Sequence, residues 1–262
     1  MTHALYEVSG GLIAFVFFCS MLLAIAWGYR LGRKKQVSVS DPIKSQFNAI
    51  LGSLLVLISL LLGFCFSLAV NHYEHRSQAM VEEVNAIGTT YLRAHSLPVT
   101  VREETLALLR KYVDVRAQAS KITLADEVSR EPLLREASQI RTKIWSLAMQ
   151  SAKDDDRVTA TGLYIQALGN LIDSYATRDE ILNRHIPEVV IISLLLTFIL
   201  AGGVLGYTSG ATGHRPIPAL LFVTVIVIAV SIIIDLDRPH QEFVQATQKN
   251  MLELQEEINN QH

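Results

Sequence analysis

The sequence predicts an all-α polytopic membrane protein, with four transmembrane helices and a helical polar domain between helices 2 and 3. Three observations carry that reading. Four blocks, Leu12–Tyr29, Ser45–Asn71, Val189–Gly213 and Pro216–Ile234, contain no Asp, Glu, Lys or Arg. Each is close to the roughly 20 apolar residues with which a helix crosses a bilayer core, and a helix satisfies its own backbone polar groups there. Charged residues make up only 18% of the 262 and hydrophobic residues 50%, whereas about a quarter of a soluble chain is charged. Finally, no stretch of any length alternates polar and apolar as a strand would. The polar remainder is too small to wrap four such helices inside a soluble protein. The chain divides into residues 1–71 (transmembrane helices 1 and 2), 72–186 (helical extramembrane domain), 187–235 (transmembrane hairpin of helices 3 and 4) and 236–262 (polar C-terminal tail).

The first block reads as a retained membrane helix. No Lys or Arg precedes it, and its basic cluster, Arg30, Arg33, Lys34 and Lys35, follows it; a secretory signal carries its positive charge first. The second block does not stop at the bilayer. From Asn71 to Ala94 few breakers occur, and Tyr73, Met80, Val84, Ile87 and Tyr91 fall at helical spacing. One long helix is expected to leave the membrane and end at Ser96-Leu97-Pro98, because Pro restricts the residue before it. A helix over about Val101–Ser120 follows, striped by Leu106, Leu109, Tyr112 and Val113. Another spans about Pro132–Ala152, with Pro132 in its first turn. Asp154, Asp155 and Asp156 suit the cap of a helix from about Asp156 to His185. Blocks three and four, joined through Gly210, Gly213, Pro216 and Pro218, form an antiparallel hairpin. The tail reads as helical to about Asn259.

Several function classes are disfavoured. The net charge of −2 and the absence of any basic motif argue against nucleic acid. Cys19 and Cys65 both lie in apolar blocks, where they act as small hydrophobes. No phosphate-cradling glycine loop, nucleophile elbow or zinc-spaced histidine pair occurs, so no enzyme is expected. A transporter with internal repeats and polar residues at mid-membrane is not evident either. After Ser45 and Gln46 at its start, the second block has only Asn48, Ser53, Ser59 and Ser67 as polar side chains before Asn71.

Three stretches together resemble a bacterial family of uncharacterised, bestrophin-like membrane proteins. They are Ile58–Val70 followed by Tyr73-Glu74-His75-Arg76; Glu83–Ala94 followed by Arg110–Arg116; and Ile234-Asp235-Leu236-Asp237-Arg238-Pro239. The resemblance covers about Ser45 to Leu254. Through it the chain is distantly similar to the bestrophin anion channels, which implies a homo-oligomer, with a pentamer as its form, passing small inorganic anions along an axis lined by the second helix. It implies a multi-pass protein of the bacterial inner membrane, embedded in lipid. Matching residue by residue places Val56, Leu60 and Phe64 at the pore constriction. Their spacing of four puts them on one helix face, and a hydrophobic ring can gate by dewetting; lipid contact or helix packing would use the same spacing. The chain departs from bestrophins in having Val56 and Leu60 where those carry bulkier residues, and Tyr73-Glu74 in place of paired tryptophans.

Further candidates follow from the same comparison. His72, His75 and Arg76, where the second helix leaves the bilayer, suit a pore mouth or interfacial anchoring. Glu83, Asn85, Arg93, Arg110, Asp114 and Arg116 suit a polar network or vestibule, with Gly88 allowing close helix approach. Asp235 and Asp237 lie where animal bestrophins carry an acidic calcium-binding turn; calcium takes six to eight oxygens, and capping by Asp237 with Pro239 opening the next helix is the competing reading. The alternative function is a membrane-anchored interaction or scaffold protein without a pore. On orientation two readings stand. The positive-inside rule puts the short loops, with Arg30, Arg33, Lys34, Lys35, Lys44 and Arg215, in the cytoplasm and the helical domain outside; the bestrophin comparison implies the reverse.

Overall fold

The computed structural model describes residues 10–34, 41–122, 126–154, 158–182, 186–213, 217–237 and 241–260. Among them the chain is helical throughout, as α1 (Gly10–Lys34), α2 (Asp41–Ala94), α3 (Val99–Lys121), α4 (Glu127–Asp154), α5 (Val158–Leu182), α6 (Glu188–Ala211), α7 (Ile217–Asp237) and α8 (Gln241–Asn260). Four of these are long and apolar enough to cross a membrane: α1, α2, α6 and α7. Contacts divide the chain into two units, residues 1–72 with 185–238 and residues 73–184 with 239–262.

In the apolar unit, α1 and α6 are the most intimate pair, and they run parallel. Phe17 meets Phe198 with ring centroids 6.0 Å apart. Further along, Gly202 faces Met21 and Ile25, Gly206 faces the Ile25 carbonyl, and Gly210 faces the Tyr29 carbonyl. Gly28 and Gly32 answer from α1, against the backbones of Gly203 and Tyr207. A methyl group on Gly28, Gly32, Gly206 or Gly210 would overlap backbone atoms of the other helix. With no hydrophobic drive between helices in lipid, this close backbone packing through small residues is what holds them together. The α6–α7 turn begins at Thr212 and Gly213, whose φ of 74° is a left-handed value that glycine adopts at no steric cost; residues 214–216, with Arg215 and Pro216, lie outside the described residues.

The 54-residue α2 runs unbroken from Asp41 to Ala94. Its 54 residues far exceed the roughly 20 that a helix needs to cross a bilayer core. It ends before Leu97 and Pro98, and Pro98 caps α3.

The polar unit has its own core, built on Ile87 and Tyr91 of α2, Leu109, Tyr112 and Val113 of α3, Ile140 and Ile144 of α4, and Tyr164 and Leu168 of α5. The tail belongs to it: α8 buries Met251, Leu254 and Ile258 in the same core, a stripe of one helical face. Two expectations are corrected here. α4 does not open at Pro132; it opens at Glu127, where the Asp126 carboxylate accepts from the Ser129 N–H at 3.1 Å, and Pro132 falls inside the helix. Gly88 is not a point of forced approach, since a Cβ there would meet Leu254 Cδ1 at an ordinary 3.5 Å. Asp155 and Asp156, as capping candidates, and His185 lie outside the described residues.

Candidate functional site

The face of α2 that carries Val56, Leu60 and Phe64 is the outer one. Ile58, Cys65 and Ala69 are buried in the core of the apolar unit. Val56, Leu60 and Phe64 lie on the opposite side of the helix and are 72%, 54% and 59% exposed in the single chain. Ser67 and Asn71 are exposed too. The Ser53 and Ser59 hydroxyls donate to the carbonyls one turn back, Ala49 at 3.0 Å and Leu55 at 2.8 Å, and so present little unsatisfied polarity.

At the end of the apolar block, His72 and Asp237 close a polar contact. His72 Nδ1 lies 2.8 Å from Asp237 Oδ1. A carboxylate only accepts, so the proton of this bond sits on Nδ1. Asp237 is fully buried, and its oxygens also accept from the Ile186 N–H at 3.1 and 3.3 Å. The carboxylate therefore ties the end of α7 to α2 and to the chain entering α6. Asp235, two residues earlier, is exposed, so the two carboxylates do not converge. Among the described residues, no group of three or more His, Cys, Asp and Glu side chains is placed to hold a metal; Arg238 and Pro239 lie outside them.

Glu83, 12 positions after Asn71 in the sequence, anchors the polar unit. It is wholly buried. Arg116 donates to it through Nε at 2.8 Å and Nη2 at 2.9 Å, and Arg178 donates to its second oxygen. Burial alone would raise the carboxyl; Arg116 and Arg178 outweigh it and hold it at about 2. The two-point contact of Arg116 and the single one of Arg178 make a charge-assisted cluster on one carboxylate. Arg116 lies over the Tyr175 ring at 4.8 Å, and Arg141 over the same ring at 4.0 Å.

The remaining candidates go elsewhere. Arg110 donates to the Tyr91 hydroxyl at 3.0 and 3.2 Å, Asp114 accepts from Gln255 at 2.7 Å, and Arg93 donates to the Leu163 carbonyl at 2.8 Å. Asn85 and His75 are exposed, and Arg76 is buried. Of the six residues grouped by the sequence, only Glu83 and Arg116 are joined directly. Arg178, Tyr175 and Arg141 join the cluster without a signal in the sequence; each sits on an otherwise ordinary polar helix, and no local pattern marks them as neighbours of Glu83.

Four helices long and apolar enough to cross a membrane, beside a separately cored helical unit, mark a membrane protein. Residues 16–251 match the family described as Bestrophin-like domain, and the chain belongs to that family. A bacterial bestrophin homolog from Klebsiella pneumoniae, in a tryptophan-to-alanine mutant form, is 14% identical with a TM-score of 0.64, covering 93% of this chain and 98% of that one. The same homolog, solved by Zn-SAD phasing, is also 14% identical with a TM-score of 0.64, covering 93% and 97%. A structure described as a membrane protein is 13% identical with a TM-score of 0.64, covering 95% and all of that chain. At these identities the likeness is one of fold. No curated protein matches the chain.

Proposed function

We propose that this chain is an oligomeric bestrophin-like ion channel of the bacterial inner membrane, passing small anions along an axis lined by α2 and narrowed at Val56, Leu60 and Phe64. The observation that carries the reading is the outer face of α2. Three large apolar side chains project from it at one-turn spacing, opposite the face that packs against the rest of the apolar unit. In a ring of identical chains, five if the bestrophin assembly holds, each position becomes a hydrophobic ring around the axis, and such rings gate by dewetting. Family membership supports the same reading. His72 and Arg76 would stand at the pore mouth, with Glu83, Asn85 and Arg93 on the helix that continues from it.

The test is halide flux from liposomes holding the purified protein, compared with the Leu60→Ala, Phe64→Ala double variant. Flux above that of empty liposomes, rising or changing selectivity in the variant, supports the channel. No flux from a folded oligomer, in either orientation and with or without calcium, overturns it in favour of a membrane-anchored interaction protein.

A further inference from the structure

The second half of α1 combines two features that the channel reading leaves unused, a cleft and a cluster of cations. The cleft, of about 790 Å³, is lined by α1 with Leu220 of α7 beside it. Leu22, Ile25, Tyr29 and Arg33 line it at spacings of three and four, which is one face of the helix. Its chemistry changes along that face. Leu22, Ile25 and Ala26 make the earlier part apolar, whereas Arg30, Arg33 and Lys34 make the later part basic, and no Asp or Glu lines it. All three cations are exposed, and among the described residues none of them has an ion-pair partner. Trp27 and Tyr29 fall between the two parts, aromatic residues of the kind that sit at headgroup level where a membrane meets water.

We propose that this cleft binds one anionic phospholipid, with its phosphate held by Arg30 and Arg33 beside Lys34 and its acyl chains laid along Leu22, Ile25 and Leu220. The order along α1, apolar wall, aromatic residues, cations, is the order of acyl chain, interface and phosphate in a lipid. A soluble anion would use the cations and leave the apolar wall bare; a zwitterionic lipid would cover the wall but bring its own cation to the basic end. Arginine forks suit phosphate oxygens, and basic pockets beside spanning helices take anionic headgroups. Charge at the end of a spanning helix also sets orientation, but that role asks for no cleft next to the charge. The site lies wholly in the apolar unit. It rests on α1 spanning the bilayer and stands whether or not the chain conducts ions.

Trp27 is a probe already in place. The chain has two tryptophans, so the full-length protein carrying Trp145→Phe keeps Trp27 alone. Its fluorescence is followed in phosphatidylcholine liposomes containing rising fractions of chain-brominated phosphatidylglycerol or, separately, chain-brominated phosphatidylcholine. Half-maximal quenching by the anionic lipid is expected at a fraction lower by about fivefold or more. Arg30→Gln with Arg33→Gln should bring the two curves together. Ala26→Phe, which fills the cleft and keeps every charge, should do the same, a change that simple attraction to a charged surface would not undergo. Unfolding midpoints and elution volumes establish that the variants fold. Coinciding curves before any cleft substitution, an anionic preference unchanged in either folded variant, quenching by neither lipid because protein covers Trp27, or quenching reversed by soluble glycerol phosphate overturns the proposal.

Discussion

Glu83 and Arg116, 33 residues apart in the chain, form a buried two-point ion pair, with Arg116 Nε and Nη2 at 2.8 and 2.9 Å from the two carboxylate oxygens. Arg116 is 5% exposed and Glu83 not at all. The pair fixes α2 against α3, and Arg178 brings in α5. Removing one member leaves the others charged and unpaired. Glu83→Ala is therefore expected to cost about 3–5 kcal/mol, read as a fall in the unfolding midpoint of the purified protein. The double variant Glu83→Leu, Arg116→Met should lose less than Glu83→Ala, because it leaves one buried arginine unpaired, Arg178, where Glu83→Ala leaves two. Equal or greater loss in the double variant would show that the pair is not coupled as described.

The same carboxylate sets an acid limit. Its pKa lies at about 2 in the folded chain against an ordinary 4.5. A depressed carboxyl adds stability that is fully present above 4.5 and is lost as pH falls towards 2, a contribution of roughly 3 kcal/mol. Unfolding free energy should decline across that window in the native protein and decline less in Glu83→Gln. A Glu83→Gln profile that parallels the native one would place the acid sensitivity elsewhere.

Two glycines should respond in opposite directions to the same methyl group. Gly206→Ala drives Cβ into the Ile25 carbonyl, forcing α1 and α6 apart at a cost of about 1–3 kcal/mol. Gly88→Ala meets only Leu254 at 3.5 Å and should gain up to about 1 kcal/mol of helix propensity. Thermal midpoints of the two variants in one detergent decide the matter; a stabilised Gly206→Ala would contradict the parallel packing.

His72 and Asp237 offer a local test of how α2, α6 and α7 are joined. Asp237→Leu strands both the His72 ring and the Ile186 N–H, and should cost about 1–3 kcal/mol. His72→Ala leaves the Ile186 bond in place and should cost less. If the two variants are equally stable, the carboxylate is not the tie between these helices.

Much of the fold is legible in the chain because membranes leave few solutions. Blocks without charge announce α1, α2, α6 and α7, and the helical spacing of Met80, Ile87 and Tyr91 carries α2 out of the apolar stretch until Leu97-Pro98 stops it. What escapes is long-range. Arg178 is one arginine among many until α5 folds against α2, and its partnership with Glu83 has no local signature. The start of α4 is hidden because Pro132 is a familiar opening residue while Asp126, the residue that caps the helix through its side chain, is a single Asp in a polar stretch. The α1–α6 contact does have a signal in the chain, Gly28 with Gly32 and Gly202 with Gly206 and Gly210 at four-residue spacing. Whether Val56, Leu60 and Phe64 face an axis or lipid is decided by the assembly, and a single sequence encodes the same apolar face for either.

That distinction is open to one direct measurement. With Cys19 and Cys65 replaced by Ala, halide flux from proteoliposomes is followed for Leu60→Cys, and for Leu23→Cys on an exposed face of α1, before and after a charged, water-soluble thiol reagent. If α2 lines the conduction path, the reagent stops flux through Leu60→Cys and leaves Leu23→Cys unchanged. Flux through Leu60→Cys that persists undiminished after treatment would contradict a pore lined by this face.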